Sequence, residues 1–356
     1  MQSYLEGLSG AYGAVGLYGA VQRFLVGVVP LAASASFLTD APFGRFLSKD
    51  AWKVKGQSWR VNGRFGWLFM EIVSPLSLLY FLSVPPTTTP FSFPAPSFSR
   101  IYTTLSSLPP ARLVLVAAYL VHYANRSILS ELRNPGRAPM HIIIPFLSAV
   151  YNACNGGTIG MYLGGGAAGM KSSNFGLKSD AWARPLFAAG LALWLAGFAS
   201  NAWHDNVFFR IKREKRAERE EKAKKAAKVD GQSKPRAPSF SDPKDRYAIP
   251  QGGLYRFISH PSYISEWIEW TGFWLSTLAL ASPPFPPSQS SPSLLSFPSP
   301  IRPLQQWYLQ PPVLFVALEV AAMLPRARSG HAWYKETFGK EWEKKGAKWI
   351  VLLGVY

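Results

Sequence analysis

The chain has 356 residues, of which 48% are hydrophobic, and its 38 basic and 20 acidic side chains give a formal charge of +18. In a soluble protein this charge would indicate nucleic-acid binding, but here the apolar residues stand in long blocks. Because a helix that crosses a bilayer needs about 20 mostly apolar residues, the blocks predict a polytopic helical membrane protein with no nucleic-acid partner.

Seven apolar blocks qualify as membrane-spanning helices. The first is long and lacks a basic leader, so we expect a retained span rather than a cleaved signal peptide. The predicted fold class is all-α, a single membrane domain over residues 1–356 with seven transmembrane helices. The approximate blocks are 11–34, 66–84, 111–130, 141–163, 184–206, 262–281 and 311–327.

The connections between the blocks differ in charge. The odd-numbered connections are rich in Lys and Arg and the even-numbered ones are poor, so the positive-inside rule predicts a lumenal N-terminus and a cytosolic C-terminus. The +18 charge is largely this asymmetry. Two even connections, 85–110 and 282–304, are rich in Pro and Ser and predict low-complexity lumenal loops. The charged insert 213–245 predicts a solvated helical extension with a disordered end.

Ionisable residues interrupt several of the blocks. Such residues are costly in lipid, so they usually face the bundle interior. Glu71 stands in "GRFGWLFMEIVSPLSLLYF", and an isolated carboxyl at this depth favours the protonated acid, which can donate a hydrogen bond to a ligand. Tyr123, in "LVHYANRS", offers a second donor. The alternatives are a structural hydrogen bond for Glu71 and an interfacial anchor for Tyr123.

A third group of polar residues lies in "NAWHDNVFFRIK". Asn201 and Asp205 are four residues apart and Lys212 is seven further on, so all three share one face of a helix. Amide, carboxylate and ammonium in one stripe suit the ribose and phosphates of a nucleotide. A salt-bridged helix end is the alternative.

The last polar groups surround the sixth and seventh blocks. In "YAIPQGGLYRFISHPSY" the Gly252–Gly253 pair predicts a tight turn that lets the backbone approach a ligand. Glu266 and Glu269 follow just inside the sixth block, and "PRARSGHAWYKETFG" leaves the seventh on the predicted cytosolic side. The pattern favours a cytosolic anionic cofactor above an apolar, membrane-fed pocket. Neither the single cysteine, Cys154, nor the spacing of the five histidines predicts a metal site.

Several of these motifs resemble one known family. "NAWHD", "YAIPQGGLYRFISHPSYISEWIEWTG" and "LPRARSGHAWYKETFG" look like the C-terminal domain of the steroid 5α-reductases (3-oxo-5α-steroid 4-dehydrogenases), and "APFGRF" and "GWLFMEIVSP" are similar to the N-terminal half of its plant-type branch. The resemblance runs from about residue 41 to the C-terminus. It implies an N-terminal half, 1–183, with substrate-side helices and a C-terminal reductase domain, 184–356, with an NADPH site.

The resemblance also implies an activity and residue roles. Members of the family reduce the Δ4 double bond of a 3-oxo steroid with NADPH, and Glu71 and Tyr123 would hydrogen-bond the 3-keto oxygen. It further implies a multi-pass protein of the endoplasmic reticulum membrane, and we expect a monomer. Ala248 and Ser262 depart from the family pattern, which usually has a basic residue and Asn there. The implied cofactor-binding residues are Asn134, Arg137, Asn201, Asp205, Lys212, Tyr247, Glu266, Trp270, Arg326, His331 and Tyr334.

Three alternatives stay open from the sequence. Within the family, the substrate could be another α,β-unsaturated lipid, such as an enoyl thioester or a polyprenol, because an apolar pocket discriminates poorly between flat lipids. "SHPSY" is similar to an element of membrane methyltransferases that use S-adenosylmethionine, although Ser259 takes the place of an Arg and Glu71 would be unexplained. A membrane scaffold without enzymatic activity is the third.

Overall fold

The computed structural model describes residues 16–38, 53–54, 57–85, 93–164, 184–229, 244, 247–280 and 310–354. Helices make up most of these ranges, as the sequence predicts. In chain order the helices are α1 (Gly16–Leu38), α2 (Gly63–Leu82), α3 (Phe98–Ser107), α4 (Pro110–Tyr123), α5 (Ser130–Arg133), α6 (Ile143–Gly164), α7 (Pro185–Val229), α8 (Pro261–Leu280), α9 (Pro311–Phe338) and α10 (Lys340–Lys345). A single π-helical turn, Ala124–Leu129, which we call the π-turn, joins α4 to α5, and a 3-10 turn, Gly253–Arg256, precedes α8.

Two pairs of very short antiparallel strands add to the helices, and an all-α prediction did not include them. The strands β1 (Lys53–Val54) and β2 (Gln57–Ser58) form one pair, and β3 (Arg60–Val61) pairs with β4 (Met140–His141). The second pair joins the segment before α2 to the segment before α6. The two helices therefore start at the same end of the bundle.

Helices α2 and α6 run side by side in the same direction and pack closely. Gly156, Gly160 and Gly164, spaced four apart, present a flat stripe to α2: a Cβ at Gly156 would lie 2.2 Å from the carbonyl oxygen of Ser74, and one at Gly164 would lie 1.9 Å from that of Leu82. Small residues allow this close backbone approach in membrane bundles. The stripe fixes the helix that carries Glu71.

Helices α7 and α8 form a second close-packed pair, in antiparallel orientation. A Cβ at Gly197 would lie 2.4 Å from the backbone nitrogen of Glu269, and one at Gly272 would lie 2.3 Å from that of Trp194. This contact holds the α8 carboxyls beside the helix that carries Asn201.

A buried aromatic core fills the space between these pairs. Trp270 of α8 packs edge to face on Phe315 of α9, with ring centroids 4.5 Å apart, and on Tyr119 of α4 at 5.5 Å. Phe273 lies against the same indole at 5.6 Å. Because edge-to-face packing is favourable between aromatic rings, the core brings α4, α8 and α9 together around one indole.

Three helices in the described ranges are long and apolar enough to cross a membrane: Gly63–Leu82, Pro110–Arg133 and Pro185–Lys225. The chain is thus a helical membrane protein, and exposed side chains such as Phe65 and Phe69 on α2 suit a lipid-facing surface. The other four predicted blocks overlap α1, α6, α8 and α9. Seven spans and the orientation of the termini stay predictions.

The charged insert begins as a direct continuation of α7. The helix runs on to Val229 and carries side-chain pairs at helical spacing, such as Arg216 with Glu220 at 2.9 Å. These exposed pairs suit a solvated extension. The remainder of the insert, from residue 230, lies almost wholly outside the described residues.

The first Pro/Ser-rich connection contains a helix that the sequence did not predict. Within 85–110, α3 starts after Ser97, whose hydroxyl accepts a hydrogen bond from the backbone N–H of Arg100 at 3.3 Å. The prolines precede this N-cap and follow the helix, where they do not interrupt it. The second such connection, 282–304, lies outside the described residues.

Candidate active site

The two predicted catalytic residues lie on helices whose register is fixed by two hydrogen bonds. The Trp67 indole N–H on α2 donates to the carbonyl of Arg126 at 3.2 Å, and the Ser74 hydroxyl on α2 lies 2.6 Å from the Tyr119 hydroxyl on α4. Along α2, Glu71 lies between Trp67 and Ser74. Along the chain of α4 and the turn after it, Tyr123 lies between Tyr119 and Arg126. The pair therefore lies on facing surfaces of α2 and α4.

Glu71 and Tyr123 are both buried in this interface. The Tyr123 ring lies 4.8 Å from Tyr119, 5.0 Å from the His122 ring and 6.2 Å from Trp270. Aromatic rings thus surround the tyrosine, and the carboxyl lies on the helix opposite. Tyr123 therefore lies near Trp270, which the resemblance assigns to the cofactor pocket.

An ionic network, which we call the interior cluster, consists of Glu71, His122, Arg126, Glu266 and Glu269. The Arg126 Nε lies 3.3 Å from Glu71 Oε1, and its Nη1 lies 3.3 Å from Glu266 Oε2. His122 Nδ1 lies 2.6 Å from Glu269 Oε1, and Glu269 is 0% exposed. The premise that Glu71 is an isolated carboxyl is wrong, because Arg126 contacts it. The sequence does not reveal this contact, which comes from a neighbouring segment of the bundle.

The π-turn Ala124–Leu129 carries Arg126 into this cluster. A π-turn is wider than an α-helical turn and is frequent at functional sites, and here the N–H of Ser130 donates to the carbonyl of Asn125, five residues earlier. The carbonyl of Arg126 accepts from the Ser130 hydroxyl at 2.7 Å and from the Trp67 indole. These contacts anchor the backbone from which the guanidinium projects.

A second group of predicted residues, the rim cluster, consists of Asn134, Arg137, Asp205 and Lys212. Lys212 Nζ donates to the Asn134 side-chain oxygen at 3.1 Å, and the Arg137 guanidinium stacks 3.5 Å from the centroid of the Trp67 ring. Burial is the main cause that lowers the pKa of Arg137. Trp67 thus connects the rim cluster to the interior cluster.

The predicted stripe on α7 faces α8. The Ser262 hydroxyl donates to Asp205 Oδ1 at 2.9 Å, and Asn201, one turn earlier, is buried against the same helix. Ser262, which departs from the family pattern, therefore fastens the start of α8 to the stripe. Lys212 lies further along, over the segment after α5.

The predicted Gly252–Gly253 turn is present and is fastened to α7. The two glycines have φ angles of +94° and +50°, which other residues rarely adopt. The backbone N–H of Leu254 donates to His204 Nε2 at 3.1 Å, and His204 Nδ1 lies 2.7 Å from the carbonyl oxygen of Ser200. The imidazole is thus a bridge between helix and turn.

The remaining predicted cofactor residues lie among aromatic rings near the end of α9. Tyr247 packs edge to face on Trp333 at 4.9 Å, and Tyr334 stacks on Trp342 at 5.1 Å. Arg326 lies half-buried on the same helix, about two turns before Tyr334. We call this group of residues near the end of α9 the α9 wall.

His331 lies in this wall, four residues past the predicted seventh span. Its Nδ1 is 2.9 Å from the Ser259 hydroxyl, which is also 2.9 Å from His260 Nδ1. Burial and, to a smaller extent, the Lys335 ammonium lower the pKa of His331 to about 4. The imidazole is therefore neutral near pH 7 and offers a hydrogen bond rather than a charge.

Some cluster members were not among the predicted site residues. His122 and Arg126 stand four apart in the apolar block that carries Tyr123, and this spacing was the signal that both face the bundle interior. Glu269 was noted but given no role. Among the described residues, no group of three His, Cys, Asp or Glu side chains is arranged to hold a metal ion.

Comparisons with known proteins agree with the resemblance. The sequence model of the family described as 3-oxo-5-alpha-steroid 4-dehydrogenase matches residues 241–286. An uncharacterised protein of Schizosaccharomyces pombe is 30% identical over 89% of this chain and 91% of its own length. The 3-oxo-5-alpha-steroid 4-dehydrogenase 1 of Rattus norvegicus is 25% identical over 84% and 81%, and the steroid 5-alpha-reductase DET2 of Arabidopsis thaliana is 24% identical over 88% of each chain.

Proposed function

The chain belongs to the steroid 5α-reductase family, and from this membership we propose that it is an NADPH-dependent reductase of the Δ4 double bond of a 3-oxo steroid. The observation that supports the proposal is the position of Glu71 and Tyr123 on facing helices in the bundle interior, with Tyr123 beside Trp270. Two donors on facing helices can both donate hydrogen bonds to one substrate oxygen that lies between the helices.

The proposed role of this pair is to polarise the substrate carbonyl. When bound, NADPH supplies a hydride for the β-carbon of the enone, which is C5 of the steroid. Glu71 and Tyr123 stabilise the negative charge that then develops on the 3-keto oxygen, and the α-carbon, C4, takes up a proton afterwards. A preorganised donor of this kind contributes about 3 kcal/mol to transition-state stabilisation.

In this proposal Glu71 donates a hydrogen bond only with a proton on its carboxyl. Arg126 contacts this carboxyl at Oε1, so the donating oxygen would be Oε2.

The rim cluster fits an anionic dinucleotide. Lys212 Nζ rests on neutral oxygens, those of the Asn134 amide and the Gly136 carbonyl, which leave its charge uncompensated by these contacts. Arg137 lies beside it, and the positive φ angles at Gly252 and Gly253 allow backbone to come close to a ligand. We infer that Lys212 and Arg137 would hold phosphate oxygens, and that Asn201 and Asp205 would hold ribose hydroxyls.

The arrangement also indicates where each ligand enters. The rim cluster lies on the side of the bundle that the basic connections assign to the cytosol, so the cofactor would enter there. A steroid would arrive from the bilayer, since the interior cluster lies within the apolar helices. We propose residence in the endoplasmic reticulum membrane as a monomer.

Incubation of membranes that contain the protein with a Δ4-3-oxo steroid and NADPH tests the proposal. We expect the saturated 3-oxo product from the wild type and a collapse of turnover in Glu71→Leu and Tyr123→Phe, since each variant lacks the proposed donor. Arg216→Met, which removes an exposed arginine from an Arg–Glu pair on α7, is the matched control and should retain full activity. If several such steroids gave no product although NADPH bound, the substrate would have to be another unsaturated lipid.

A further inference from the structure

We propose that Arg126 is a positioning residue that couples the cofactor end of the site to the substrate end. This inference rests on the proposed function, because it assigns Glu266 to the cofactor end and Glu71 to the substrate end. One guanidinium contacts both carboxyls, each at 3.3 Å. A change at either carboxyl therefore reaches the other through one rigid, planar group.

The chemistry of arginine suits this role. The guanidinium is planar, always charged, and has several N–H donors in fixed directions, so it can serve two acceptors at once. Nε points to Glu71 on α2 and Nη1 points to Glu266 on α8. A lysine is a single point charge and cannot hold both carboxyls in the same geometry.

Hydrogen bonds hold the backbone of Arg126 as well as its guanidinium. The carbonyl of Arg126 accepts hydrogen bonds from the Trp67 indole and the Ser130 hydroxyl, and the π-turn fixes the direction of the side chain. Trp67 lies one turn before Glu71 on α2. The same helix thus positions Arg126 through its backbone and binds its side chain.

The shared guanidinium gives the coupling a direction. Two carboxyls share one guanidinium, so removal of the Glu71 oxygens frees it to bind Glu266 more completely. Glu71→Leu should therefore draw Arg126 toward Glu266. The Glu266 oxygens then become poorer acceptors for a cofactor, although Glu71 itself lies at the substrate end.

NADP+ binding in detergent, followed by tryptophan fluorescence, measures this coupling without turnover. We expect Glu71→Leu to weaken NADP+ binding about fivefold when Arg126 is present. In the Arg126→Met background the same change should alter the dissociation constant less than twofold. Arg126→Lys should give an intermediate coupling, and Arg216→Met, with its exposed Arg–Glu pair, should leave the fivefold effect intact.

The outcomes separate the inference from the proposed function. An equal effect of Glu71→Leu with and without Arg126, or no effect in either background, would overturn the coupling and leave the reductase assignment standing. A wild type that neither binds NADP+ nor reduces an enone would overturn the proposed function and the coupling with it. Because Arg126→Met could fail to fold, helical circular dichroism and a monodisperse elution profile qualify each variant, and Arg126→Lys carries the test if the Met variant does not pass.

Discussion

The interior cluster and the rim cluster use similar residues in different surroundings. In the interior cluster, acidic side chains meet a guanidinium and an imidazole inside the bundle, and Glu269 is fully buried. In the rim cluster, Lys212 and Asp205 are half-buried and bond to an amide, a carbonyl and a hydroxyl. Buried charges need close partners, whereas partly exposed charges at the edge of a site are available to bind a ligand. We propose that the interior cluster serves the chemistry and the rim cluster serves cofactor binding.

The largest expected effect is the loss of a donor in the interior. Tyr123→Phe removes one hydroxyl and keeps the ring packing, so we expect kcat to fall about 100-fold, as for other preorganised donors of this kind. The dissociation constant of NADP+ should change less than twofold, as fluorescence titration would show. A large loss of cofactor affinity instead would show that the interior and the rim do not divide the work in this way.

The next effect concerns the glycine turn at the rim. A Cβ at Gly253 would lie 2.3 Å from the Trp203 ring, at a φ of +50°, so Gly253→Ala combines a clash with backbone strain. We expect a loss of about 2 kcal/mol in the free energy of unfolding, measured as a lower melting temperature. Trp203→Ala removes the ring that a Cβ at Gly253 would meet, so Gly253→Ala should lose less stability in that background. An equal loss in the two backgrounds would assign the whole effect to backbone strain and none to the contact with Trp203.

A smaller effect is expected from the rim cation. Lys212→Met keeps most of the side-chain length and removes the charge, so NADP+ affinity should fall about tenfold, or ~1.4 kcal/mol. At saturating cofactor, kcat should stay within twofold, since the interior cluster is untouched. Lys215→Met, further along α7 and paired with Glu218, is the control and should bind NADP+ as the wild type does. A tenfold loss of kcat with unchanged affinity would move Lys212 from binding to chemistry.

The smallest effect is a pH dependence at His331. Its pKa of about 4 in the folded protein lies below the usual value of about 6.5 for an unfolded chain, so the unfolded state binds the proton more tightly. The contribution of His331 to stability is present above pH 6.5 and is lost as the pH falls from about 6.5 to 4. His331→Asn should therefore show a shallower decline of melting temperature across this window. His260→Asn tests the other imidazole on Ser259, and an unchanged slope in the His331 variant would refute the assignment.

Helix positions could be predicted from composition because long apolar blocks have one stable form in lipid. Short features could not: α3 is hidden in a Pro/Ser-rich stretch, and the pairing of β3 with β4 joins segments about 80 residues apart in the chain. Among the site residues, Glu71 was noticeable because a charge in an apolar block is costly. The contact between Arg126 and Glu71 could not be predicted, because it depends on a π-turn for which the sequence has no recognisable pattern.

Transfer of a labelled hydride tests the central claim most directly. Membranes that contain the protein are incubated with a Δ4-3-oxo steroid and NADPH deuterated at the nicotinamide C4 position, and the product is analysed by mass spectrometry and NMR. We expect a saturated ketone with one deuterium at C5 and a solvent-derived proton at C4, and about 100-fold less of this product from Tyr123→Phe at matched time. An unchanged steroid, or a product that carries no deuterium at C5, would contradict the proposed reduction.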